Sequence, residues 1–135
     1  MKRNFLIVLG LSVGLLGASI PAMAHHAIAA EFDTTKPIKF EGTVKSVDWM
    51  NPHIYVNIET IDEAGKAIVY SVEGGPPNAL YRQGWRANSL KVGDKVQVSG
   101  VRAKKPGNNR IGTATITMPD GRIFARGTGN TQEYQ

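Results

Sequence analysis

The chain has 135 residues, 16 basic and 11 acidic side chains, a formal net charge of +5, three histidines and no cysteine. The absence of cysteine excludes disulfides, thiolate nucleophiles and zinc–thiolate sites. So mild a positive excess does not argue for nucleic-acid binding.

The first 24 residues read as an address, not as part of a fold. Lys2 and Arg3 precede an uncharged apolar run, FLIVLGLSVGLLGASI. Pro21 and the small-x-small triplet Ala22-Met23-Ala24 follow. This is the pattern of a Sec-type signal peptide cleaved after Ala24, and it predicts a periplasmic or secreted protein with no stable membrane insertion after cleavage. Cleavage there shortens the 135-residue chain to 111 residues and, with Lys2 and Arg3 gone, lowers the charge from +5 to +3. That length suits one domain with a modest core.

Residues 25–37 read as an extended N-terminal arm, and the barrel domain is expected over 38–126. In IKFEGTVKSVDW, Ile38, Phe40 and Val44 alternate with polar residues. The phase then slips to Val47 and Trp49, which predicts a β-bulge near Ser46 and a sharp bend. Asn51-Pro52 is a turn signal, HIYVNIET a second strand, DEAGK a hairpin loop and AIVYSVE a third strand. Pro77 opens a short helix through Gln83, and Gly84 ends it. Leu80, Tyr81 and Trp85 are placed to cap one end of a barrel. KVQVSGVRAK and RIGTATITMP are the fourth and fifth strands, and Ile123-Phe124-Ala125 adds a short edge strand. Residues 127–135 offer little to bury and read as a flexible tail.

Three strands, a short helix and two more strands are the order of a small five-stranded OB-like Greek-key barrel, an all-β fold; a meander or partial sandwich is the alternative. If the hairpin register sums to about 127, Ile54 stands opposite Glu73, and His53, Glu73 and Trp49 share one barrel end.

Chemistry concentrates on the histidines. Cleavage after Ala24 makes His25 the first residue, offering its α-amine and its ring from a single position. With a second imidazole these form a three-nitrogen site of the histidine-brace kind, suited to copper, which leads the divalent affinity order. The third nitrogen comes from His53, with His26 as substitute or fourth ligand; Glu73, Glu31 and Asp33 are candidate oxygen ligands or acceptors for an imidazole N–H. Cleavage after Ala22 would instead place His25 third, in a four-nitrogen copper chelate. Trp49, Asn51, Tyr81 and Trp85 are candidate ligand- or partner-binding residues on the barrel. Lys104, Lys105 and Arg110 read as a solvated basic loop. No nucleophile elbow, catalytic triad or phosphate loop is recognisable, so no enzyme activity is expected.

Several segments together carry a family resemblance: HH-x4-EFD ending at Asp33, GTVKSVDWMNPH ending at His53, VEGGPPNALYRQGW from Val72 to Trp85, SLKVGDKVQVSGVRAK from Ser89 to Lys104, and the PDGR turn. The chain resembles a family of small exported bacterial proteins of unknown function. The resemblance implies an OB-like barrel and a periplasmic location. It implies no activity, because the family has none assigned. Recurring motif positions fall on His25, His26, Glu31, Asp33, Trp49, Asn51, His53, Glu73, Asn78 and Trp85. The residues leave two functions open: a small copper-binding protein of the envelope, or a metal-free interaction module for an envelope protein or small ligand.

Overall fold

The computed structural model describes residues 29–126. The expected signal peptide, the His25–His26 pair and the expected tail lie outside the described residues. The chain divides into two compact units at Glu31/Phe32, and every strand belongs to the second. Among the described residues, no helix is long and apolar enough to cross a membrane.

Among the described residues of the second unit, six strands and one short helix run in the order β1 (Phe32–Asp48), β2 (Tyr55–Ile61), β3 (Ala67–Glu73), α1 (Pro77–Arg82), β4 (Lys95–Ala103), β5 (Arg110–Thr117) and β6 (Ile123–Arg126). The sheet order is β3-β2-β1-β4-β5-β6, and a parallel pairing of β3 with β5 closes it into a barrel. All other pairings are antiparallel. This connectivity, with the helix between β3 and β4, is that of an OB-like Greek-key barrel. β6 is appended to β5 outside the closed ring.

The core arises from period-two alternation. Val44, Ile58, Val72, Val98, Ile111 and Ile116 are fully buried and come from all five ring strands. Phe124 of β6 and Leu80 of α1 are buried with them. No polar or charged residue is buried among the described residues, so the interior rests on apolar packing.

Strand β1 does two jobs. Its Pro37–Thr43 stretch pairs with β4, and its Thr43–Asp48 stretch pairs with β2. The pairing skips between Val44 and Ser46, leaving Lys45 as the extra residue of a bulge, next to the expected position. Gly42 lies at the crossing. A Cβ there would come within 2.6 Å of the Glu59 carbonyl oxygen and 2.5 Å of Ile58 Cγ2.

Two sequence-based expectations need correction. The first strand begins at Phe32, not Ile38, because Phe32 pairs with Ala103 ahead of an irregular stretch that rejoins the ladder at Pro37. The β2–β3 register is also one residue away from the expected one: Tyr55, not Ile54, stands opposite Glu73. A sum of 127 belongs to a two-residue loop. Here the Asp62 N–H donates to the Lys66 carbonyl across three intervening residues, and Asp62 Oδ1 accepts the Ala64 and Lys66 N–H groups. The longer loop moves every pair by one.

Gly42→Ala is expected to lower the unfolding free energy by about 1–3 kcal/mol through forced overlap with strand backbone. Gly75→Ala, where a Cβ meets nothing within 4 Å, is expected to change it by less than about 0.5 kcal/mol. Thermal unfolding followed by circular dichroism compares the two.

Candidate functional site

Val56 and Val72 are directly paired and point inward, both fully buried. Their neighbours Tyr55 and Glu73, also directly paired, therefore point outward. On β5, Ile111 points inward, which turns Arg110 outward; the parallel ladder sets Arg110 beside Ser71. Barrel closure thus gathers Tyr55, Glu73 and Arg110 on one outer face, just downstream of His53.

Glu73 binds on both sides. Its Oε1 lies 2.6 Å from His53 Nδ1, and its Oε2 accepts a hydrogen bond from Arg110 Nη2 at 2.8 Å. Arg110 Nη2 also donates to the Tyr55 hydroxyl at 3.3 Å. The guanidinium carbon stands 5.4 Å from the Tyr55 ring centre and 5.8 Å from that of Phe32, within cation–π range of both. The three polar side chains are partly exposed, at 35% for His53, 20% for Glu73 and 33% for Arg110. Partly exposed ion pairs of this kind contribute at most about 1 kcal/mol each.

What the relay decides is chemistry. A carboxylate can only accept, so His53 Nδ1 carries the hydrogen and the lone pair of the neutral ring sits on Nε2. This is the carboxylate–histidine arrangement that orients metal-binding imidazoles. Both Glu73 oxygens are engaged, by His53 and by Arg110, which leaves the His53 ring as the candidate ligand of this cluster. Among the described residues, no three His, Cys, Asp or Glu side chains converge as a metal cluster.

The other candidates occupy different settings. Glu31 belongs to the N-terminal unit. Asp33 is engaged locally: the Thr35 hydroxyl, at 2.6 Å, and then the Thr35 N–H hold its carboxyl below the usual range. Asn51 is exposed, beside a cis peptide to Pro52. Asn78 is exposed in the first turn of α1.

Trp49, Tyr81 and Trp85 form a second group, around Phe124. The Trp49 ring lies 5.4 Å from Tyr81 and 6.4 Å from Phe124, and Trp85 meets Phe124 edge-on at 4.9 Å. The end of α1 positions Trp85. Gly84 takes φ +88°, its N–H bonds to the Tyr81 carbonyl, and the Trp85 N–H bonds back to the Leu80 carbonyl. These two bonds are a Schellman cap, and the positive φ is what glycine supplies. The Trp49 indole N–H is buried and has no hydrogen-bond partner among the described residues.

Arg110 is the residue whose role the sequence hid. It reads there as one of several loop cations, and only the parallel closure brings it to Glu73. An open groove of about 830 Å³, lined by Glu41, Thr43, Lys95, Gln97 and Met118 among others, was likewise not foreseen. Within it Gln97 donates to Glu41 at 2.9 Å and Lys95 to Thr43 at 2.6 Å.

Fold and relay together define a small closed barrel that presents a carboxylate-oriented histidine on its outer face. The model of a family of unknown function, DUF6152, matches residues 13–114, and the chain belongs to that family. No curated protein and no solved structure matches it.

Trp49→Phe is expected to leave the unfolding free energy within about 1 kcal/mol of the parent, because lost ring packing is offset by removal of an unpartnered donor. Chemical denaturation measures this. A loss above about 3 kcal/mol would mean that the indole N–H has an acceptor in solution.

Proposed function

We propose that the protein is a small exported metal-binding protein of the cell envelope that holds copper through nitrogen ligands, for storage, delivery or sensing of the ion. The observation that carries this reading is the 2.6 Å contact between His53 Nδ1 and Glu73. It leaves Nε2 as the coordinating atom of a ring whose orientation is already fixed. A preset ring loses less freedom when an ion binds than a freely rotating one.

Sequence supplies the rest of the proposed ligand set. Processing after Ala24 would give His25 a free amine beside its ring, with His26 next to it. Amine and imidazole nitrogens without thiolates favour Cu(II) over the other first-row divalent ions. The α-amine titrates near neutral pH, so its deprotonation on binding costs little. Signal-peptide features support export.

A second reading is a metal-free interaction module for an envelope protein or small ligand. It is supported by Tyr81, 43% exposed, with Arg86 over its ring, beside the unpartnered Trp49 indole. Partner binding that survives chelation and is lost in folded Trp85→Ala would favour this reading over copper.

For copper the test is a Cu(II) titration of protein processed by its own signal peptide, followed by electron paramagnetic resonance. One tight equivalent with nitrogen couplings is expected. His53→Ala and a variant with one extra residue before His25 should each lose it. Glu73→Gln should weaken it by roughly 10- to 100-fold, and Lys104→Ala should leave it unchanged. Equal affinity in all four variants would overturn the proposal.

A further inference from the structure

The geometry points to Arg110 as the positioning residue that sets which nitrogen of His53 is offered to a ligand. This deepens the reading of His53 as an Nε2 donor and rests on it. A free neutral imidazole in water favours the Nε2–H tautomer, which places its lone pair on the wrong nitrogen for that role. Glu73 reverses the preference only if its Oε1 is held against Nδ1. A glutamate has three rotatable side-chain bonds, so by itself it holds that position weakly.

Arg110 removes this freedom. It bonds Glu73 Oε2 at 2.8 Å and so fixes the plane from which Oε1 faces the ring. The guanidinium is itself located by the Tyr55 hydroxyl and by the Tyr55 and Phe32 rings. Phe32, Tyr55, Glu73 and Arg110 come from β1, β2, β3 and β5 in turn. The tautomer of one half-buried histidine is thereby tied to the closed state of the barrel.

The test reads the tautomer directly, without metal. Long-range ¹H–¹⁵N spectra of the ¹⁵N-labelled protein, taken where the ring is neutral and assigned with His53→Gln, distinguish Nδ1–H from Nε2–H. Wild type should be dominated by Nδ1–H. Arg110→Met should lower the Nδ1–H to Nε2–H ratio by roughly tenfold, the scale of one charge-assisted hydrogen bond. Arg110→Lys, which keeps the charge, should restore most of it. Arg110→Met with the wild-type ratio would overturn the assignment.

Wild-type protein also tests the clamp, whether or not the Met variant folds. Arg110 should show separate, slowly averaging Nη–H signals that merge in Glu73→Gln; merged signals in wild type would overturn it. Copper plays no part in these spectra, so the two readings fail separately. Loss of copper binding with the expected tautomers removes only the metal function. An unchanged Arg110→Met ratio alongside inversion in Glu73→Gln removes only the role of Arg110.

Discussion

The structure depends on a very short piece of ladder. Two residue pairs, Ser71 with Arg110 and Val72 with Ile111, join β3 to β5 in parallel and turn a curved antiparallel sheet into a closed barrel. So few pairs cannot hold the closure by backbone hydrogen bonds alone. Apolar burial supports them, since Val72 and Ile111 are both fully buried. The Ser71 N–H is satisfied by the Asn109 carbonyl at 2.9 Å, which anchors the chain as it enters β5. Opening this seam would expose strand edges and remove Arg110 from Glu73. Fold and candidate site thus rest on one constraint.

The bend in β1 is the second requirement. A straight 17-residue strand could not pair with β4 along one half and β2 along the other. The Lys45 bulge and the close crossing at Gly42 provide the turn. One consequence is the placement of Trp49 against Tyr81 and Phe124. Another is the path of the chain through Asn51-Pro52 to His53, whose ring meets the end of β3. The aromatic cap and the polar relay are downstream of the same bend.

Much of this was legible in the sequence because it is local. The alternation in AIVYSVE marks β3 residue for residue, the phase slip before Val47 marks the bulge, and Pro77 with Gly84 brackets the helix. The His53–Glu73 meeting was also legible, since a hairpin brings its two ends together whatever the loop. Its register was off by one because loop length depends on how Asp62 bonds its own backbone, which composition does not reveal. The early start of β1 was hidden because DTTKP carries no apolar alternation. Arg110 was hidden for a deeper reason: it lies 37 residues from Glu73, and no local pattern forecasts a parallel seam.

The balance of energies gives the relay its meaning. Ordering His53, Glu73 and Arg110 costs side-chain entropy of up to about 2 kcal/mol for each long chain. The two partly exposed pairs return about 1 kcal/mol or less apiece. The pairs therefore offset only part of that cost, and the domain takes its stability from an apolar interior. The effect on the imidazole is of another kind: the Glu73 carboxylate at 2.6 Å favours the hydrogen on Nδ1 and the lone pair on Nε2. The geometric consequence of this order lies in how the His53 ring is presented, which is what the proposed Nε2 role would use.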